Sequence, residues 1–177
     1  MAAQSDPSRA DPSRGSGAAK TRLAIAAFAH AANLVEAVAE LERTGFGREQ
    51  LGIAGLESSI AQLQAGTSGR ATGLLGELLR SAERATPAFI VSGDDFVLVA
   101  CGPLWQNIGT MRGNAGDQLV IASWMDPATR AEMTRHICDG AIILGVRADT
   151  VDQQRRSARI LLSHSSERVQ THEFTPN

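Results

Sequence analysis

Ala141-Ile142-Ile143-Leu144-Gly145-Val146-Arg147 is a continuous apolar segment with the length of one buried strand. Asp149 or Thr150 is placed to cap a helix directly after it, and a last strand follows at 168–174. The pattern over roughly 140–174 therefore predicts a β-α-β unit. One face of its helix is predicted to carry Val151, Gln154, Ala158, Leu161 and Leu162, and the other face Arg155, Arg156 and Arg159.

The N-terminal part of the chain follows the same order of elements. The segment 22–28 has the composition of a strand, and 51–56 forms a second short one. Between them, Gly45 stands where an apolar helical stripe stops, which is typical of a glycine C-cap. Residues 21–56 are therefore predicted to be another β-α-β unit, with a helix stripe of Leu34, Val35, Val38 and Leu41.

Two β-α-β units predict an α+β protein, a ferredoxin-like sandwich with an antiparallel sheet and two helices on one face. The strand 141–147 is apolar at both parities, so the second face of the sheet must also be covered. Either the central insertion or another subunit can cover it. Because an isologous contact needs only one patch, we expect a second copy there, with Ile143 in the contact of a homodimer or larger oligomer.

The segment between the two units, about 57–139, is too long for a turn and is predicted to be a structured insertion in the single domain 21–177. Its middle is a Gly-rich loop, and Asp126-Pro127 has the order of a helix start. The expected elements are a helix at 72–84, strands at 96–101 and 118–122 around the loop 102–116, and a helix from 126 to about 138.

Three motifs of the flanking units resemble a family of small bacterial general-stress or low-temperature-induced proteins. They are Leu41-Glu42-Arg43-Thr44-Gly45-Phe46, Asp139-Gly140-Ala141-Ile142-Ile143-Leu144-Gly145-Val146 and Val169-Gln170-Thr171-His172-Glu173-Phe174. The resemblance implies two strand-and-helix units around a Gly-rich middle and a role in stress. It brings no catalytic residues.

Composition narrows the classes of function. Lys and Arg number 17 against 19 Asp and Glu, and the net charge of −2 excludes a broadly basic nucleic-acid binder. Two distant cysteines exclude a disulfide scaffold. No apolar run reaches the roughly 18–20 residues that span a bilayer. Residues 1–20 contain a repeated Asp-Pro-Ser-Arg and are predicted to be a disordered tail without a secretory signal, so we expect a cytoplasmic protein with reduced thiols.

Candidate ligand-binding residues lie in the Gly-rich loop. Arg112 can meet an anion, while Trp105 and Asn107 can stack on and orient a ring, so a small anionic or ring-containing ligand is one hypothesis. The alternative is a plain connection between two strands, since glycine most often marks turns.

Other reactive side chains favour structural roles. His136 and Cys138 are two apart on a predicted helix and make a poor pair of metal ligands. Cys101 has no nearby histidine to act as a base, so we expect a buried, unreactive thiol. The arginines 155, 156 and 159 are expected to form a solvated strip. No catalytic residue, metal or cofactor is predicted.

The leading hypothesis is a non-enzymatic, stress-associated protein that acts by binding a ligand or partner. Two alternatives remain open at this point. One is a small dimeric enzyme with its substrate between the sheet and the insertion, and the other is a structural subunit that builds assemblies.

Overall fold

The computed structural model describes residues 20–67, 73–82, 89–90, 97–105, 126–165 and 167–174. The described strands and helices alternate in the two flanking units, while two helices and then two strands follow each other in the insertion. Their bounds are β1 Thr21–Phe28, α1 Ala31–Arg43, β2 Leu51–Leu56, α2 Glu57–Thr67, α3 Gly73–Ala82, β3 Phe89–Ile90, β4 Val97–Cys101, α4 Pro127–Cys138, β5 Ile142–Ala148, α5 Val151–His164 and β6 Gln170–Phe174.

One antiparallel sheet organises these elements, with strand order β3-β4-β2-β5-β1-β6. The expected α+β class is confirmed. The predicted pairing of the first strand with the strand at 141–147 is also confirmed, because β1 and β5 pair from Arg22↔Ala148 to Phe28↔Ile142. β5 lies between β1 and β2, and its two faces enter separate cores, with Leu144 in one and Ile143 in the other, which explains why its sequence is apolar at both parities.

The first face of the sheet is covered by helices from both flanking units and from the insertion. Leu34 and Leu41 of α1 and Leu161 of α5 are fully buried against Leu144 of β5. Leu78 of α3 joins the same core, so the insertion also contributes a helix to this face.

The second face is covered by the insertion of the same chain. Leu104 and Trp105, directly after β4, and Met133 and Ile137 of α4 pack on it. The expectation that Ile143 lies in a contact between two copies is wrong, since this side chain is buried in its own chain at 3% exposure.

Local signals place the helix ends as predicted. Gly45 adopts φ +92 after α1, a conformation that L side chains rarely take. Asp126 caps α4 by accepting hydrogen bonds from the backbone N–H groups of Ala128 and Thr129, both at 3.0 Å. Of the two proposed caps for α5, Thr150 is the one that accepts the Gln153 backbone N–H, at 3.1 Å.

Several elements differ from the sequence prediction. The helix α2, directly after β2, was not predicted, and the predicted strand 118–122 lies outside the described residues. In α5, Val151 and Leu162 are 41% and 59% exposed rather than buried. The buried positions of that helix are Gln154, Ser157, Ile160 and Leu161.

Among the described residues, no helix has the length and apolar character needed to cross a bilayer.

Candidate functional site

Trp105 lies flat against a pair of glycines on the second face of the sheet. Gly52 of β2 and Gly145 of β5 are direct cross-strand partners. A Cβ at Gly52 would come within 2.6 Å of the Trp105 Cδ1 and Nε1 atoms, and a Cβ at Gly145 within 2.8 Å of its Cη2 and Cζ2 atoms. The two glycines therefore form a slot that the indole ring fills, which we call the glycine slot.

The turn after β4 places Trp105 in this slot. Gly102 has φ +102, and a Cβ there would meet the Leu51 carbonyl oxygen at 2.7 Å, so only glycine fits. The Trp105 side chain is 1% exposed, and its indole Nε1 has no hydrogen-bond partner among the described residues. Its described surroundings are thus those of a core side chain.

The other two residues of the predicted ligand site, Asn107 and Arg112, lie outside the described residues. Their convergence with Trp105 on a ligand stays a prediction. The described geometry does show that the glycine slot is occupied by the protein's own side chain.

Polar side chains join α4 to the β6 side of the sheet. Gln170 Nε2 donates to Glu132 Oε2 at 3.1 Å, and His136 Nε2 lies 3.6 Å from Glu167 Oε2. Burial lowers the pKa of the His172 imidazole, and the negative charge of Asp126 opposes that shift. The Gln170–Glu132 and His136–Glu167 contacts attach α4 to β6 and to the segment directly before it.

Cys101 is the buried thiol that the sequence predicts, whereas Cys138 is exposed. Cys101 is buried in the first-face core, and burial raises the pKa of its thiol to about 12, so the thiol stays protonated at neutral pH. Cys138 is exposed while His136 is buried, so the two side chains point apart on α4. Within the described ranges, no three His, Cys, Asp or Glu side chains are grouped to hold a metal.

The outer edge of β6 forms a second candidate surface. β6 pairs with β1 on one side, and no described strand pairs with it on the other. Thr171 and Glu173 are exposed on this strand. Glu173 is paired within its own chain, at 3.0 Å from Arg22 Nε and 3.9 Å from Lys20 Nζ, so its charge is compensated.

The outer face of α5 flanks this edge. Leu162 and Val151 are the two large apolar side chains most exposed among the described residues. Between them, Arg155 and Arg159 are exposed, as the sequence predicted, and lie on the same stripe by helical spacing. Sequence reasoning placed Val151 and Leu162 in the core because apolar residues usually mark the buried face.

The position of this stripe follows from two anchors of α5. His164 Nε2 contacts Glu40 Oε2 of α1 at 2.6 Å, so α1 lies along one flank of α5. Gln154 Nε2 donates to the carbonyls of Leu23 in β1 and His172 in β6, at 3.2 Å each. By helical geometry, Leu162 then lies on the flank away from α1 and toward the β6 edge.

Comparison of the chain with protein-family models, with curated proteins and with solved structures finds no match.

Proposed function

We propose that this chain is a non-enzymatic, stress-associated cytoplasmic protein that acts by binding a partner along the outer edge of β6. The fold we propose for it is a ferredoxin-like sandwich split by the insertion 57–139. The order β2-β5-β1-β6 supports that fold, because the first and third strands of the two β-α-β units stand side by side at the centre.

The proposed function rests on the outer edge of β6, which no described strand pairs with. In an antiparallel strand, alternate residues direct their N–H and C=O groups away from the neighbouring strand. Proteins commonly protect such edges with charged side chains, especially lysine, with proline or with very short strands. Positions 170–174 carry neither lysine nor proline, and Glu173 is compensated by Arg22. An extended segment can therefore add to the sheet here.

The flank of α5 adds side-chain contacts to this backbone surface. Leu162 is 59% exposed, and a partner strand beside β6 would cover part of it. Arg159 supplies positive charge along the same flank, which favours a partner that carries carboxylates, while Arg155 Nη1 lies 3.9 Å from Asp152 Oδ1 of the same helix.

The enzyme alternative needs a substrate pocket between sheet and insertion. In the described residues that space is filled by Trp105, Met133 and Ile137. We also propose that the Gly-rich loop 102–116 binds a small anionic or ring-containing ligand through Asn107 and Arg112.

Site-specific photo-crosslinking in cells tests the proposed function. A photoreactive residue at Thr171, on the β6 edge, is expected to give covalent adducts of defined mass. The matched control is Ala65, which is exposed on α2 and away from β6. Equal labelling at both positions, or none at either, would refute the β6 edge as the binding surface.

A further inference from the structure

We infer that the partner at the β6 edge is a second copy of this chain, with the two β6 strands paired antiparallel about a two-fold axis at Thr171. This inference rests on the proposed function, since it names the occupant of the same edge. It moves the expected homodimer contact from Ile143, which is buried in its own chain, to the rim of the sheet.

The direction of α5 relative to β6 is fixed by two hydrogen bonds to β1. Gln154 donates to the Leu23 carbonyl at 3.2 Å, and Ser165 Oγ donates to the Ala27 carbonyl at 2.7 Å. α5 therefore runs in the direction of β1. Because β6 is antiparallel to β1, α5 runs antiparallel to β6.

The levels of the exposed apolar side chains follow from this arrangement. Gln154 also contacts the His172 carbonyl, which sets the level of the helix on the strand. With rises of about 1.5 Å per helical residue and about 3.3 Å per strand residue, Val151 lies near the level of residue 173 and Leu162 near that of 168. The level midway between them is that of Thr171.

A two-fold axis at Thr171 pairs residues 170–172 of the two β6 strands with each other and sets residues 173 and 174 opposite 169 and 168, which directly precede β6. It brings Val151 of each copy to the level of Leu162 of the other, so apolar ends meet apolar ends. It also sets Thr171 opposite Thr171 and Glu173 opposite Val169, so no like charges face each other within the paired strands. Arg155, one residue past Gln154, lies near the level of the axis, where its ion pair with Asp152 of the same helix at 3.9 Å offsets the approach of the other copy's Arg155. Glu173 then stands at the level of the other copy's Arg159, a complementary charge.

A second copy explains the β6 edge and the exposed Val151 and Leu162 beside it together, better than an unrelated strand does. The same short patch supplies both halves of the contact, as an isologous interface requires. The two edges of the described sheet are also unequal, because β3 spans two residues and β6 spans five. The longer edge is the one flanked by exposed apolar side chains.

Sedimentation velocity over a concentration series measures the association. At concentrations of tens of micromolar, the unmodified protein is expected to sediment as a dimer with twice the 18.7 kDa mass of one chain. Thr171→Lys places two positive charges opposite each other and is expected to raise the dimer Kd about fivefold or more. The matched control Ala65→Lys adds the same charge on an exposed position of α2 and is expected to leave the Kd unchanged.

Disulfide trapping gives a second measurement that does not depend on the lysine variant folding. In a Cys138→Ser background, Thr171→Cys is expected to form a disulfide between copies on mild oxidation, while Ala65→Cys is not. A monomer at 100 micromolar, or equal trapping at both positions, overturns the inference. If photo-crosslinking at Thr171 meanwhile yields an adduct with a different protein, the β6 edge remains a binding surface and only its occupant is wrong.

Discussion

Replacing Gly52 with alanine tests the glycine slot directly. The new Cβ would lie 2.6 Å from the Trp105 Cδ1 and Nε1 atoms and 3.1 Å from the Leu104 Cβ. Overpacking of this kind costs about 1–3 kcal/mol. Alanine also gains about 0.5–1 kcal/mol over glycine in a strand, through a smaller loss of backbone entropy. We therefore expect Gly52→Ala to lower the free energy of unfolding by about 1–2 kcal/mol.

Gly55 provides a matched control in the same strand. A Cβ there meets its nearest neighbours, the Ala141 carbonyl oxygen and Ile142 Cγ1, at 3.5 Å, which is ordinary van der Waals contact. Gly55→Ala is expected to be neutral or to stabilise the protein by up to about 1 kcal/mol. The two variants share one substitution and one strand, and they differ in their clearance from the indole.

Urea unfolding of both variants, repeated in a Trp105→Leu background, completes the experiment. Without the indole, the cost of Gly52→Ala is expected to fall close to zero, which a double-mutant cycle reports as a coupling of about 1 kcal/mol or more. The interpretation is refuted if Gly52→Ala and Gly55→Ala have equal effects. It is also refuted if the cost of Gly52→Ala persists when Trp105 is replaced.

The remaining predictions concern the core and the titrating groups. Leu41→Ala and Leu161→Ala are each expected to lower the free energy of unfolding by about 2–5 kcal/mol in urea, because both side chains are fully buried, and near-neutral effects would contradict the first-face packing. In the folded protein at pH 7, a thiol reagent is expected to label Cys138 but not Cys101, whose pKa burial raises to about 12, and mass spectrometry of the labelled peptides checks this. Burial lowers the pKa of His172 below 6.5, so its neutral form stabilises the fold fully above pH 6.5, and this contribution is lost as the pH falls through the lowered pKa. His172→Gln is expected to flatten the stability profile in that range, and an unchanged profile would exclude this residue as its cause.

The flanking units could be predicted because their signals are local. Gly45 ends α1, and Thr150 begins α5, each through contacts within a few residues of the chain. The pairing of β1 with β5 could also be predicted, since two β-α-β units leave few ways to complete one sheet.

The cover of the second face could not be predicted in the same way. It depends on the register that sets Gly52 opposite Gly145, and these residues are far apart in sequence. Nothing near Trp105 shows that two glycines leave room for its ring. The sequence therefore left a ligand at Trp105 open as one hypothesis and favoured a second copy at Ile143, while the structure places both side chains in one core.

The exposed flank of α5 was missed for another physical reason. Gln154 and Ser157 are polar residues that are buried because their side chains find partners, with Gln154 donating to two sheet carbonyls. The sequence prediction included Gln154 in the buried face but omitted Ser157, and it added Val151 and Leu162 because they are apolar. Because the Gln154 amide donates hydrogen bonds to two sheet carbonyls, α5 turns this polar side chain toward the sheet and leaves Leu162 and Val151 exposed.

The central place of β5 has a consequence for synthesis of the chain on the ribosome. β1 is complete at Phe28, but its seven-residue register with β5 begins only at Ile142. At about 5–20 residues per second, translation of the intervening chain takes about 6–23 s. During that time the apolar strand β1 lacks its central neighbour, and the nascent chain exposes apolar surface that is prone to aggregation. Fusing the C-terminal unit ahead of β1 by circular permutation would shorten this wait while retaining every pair of the sheet.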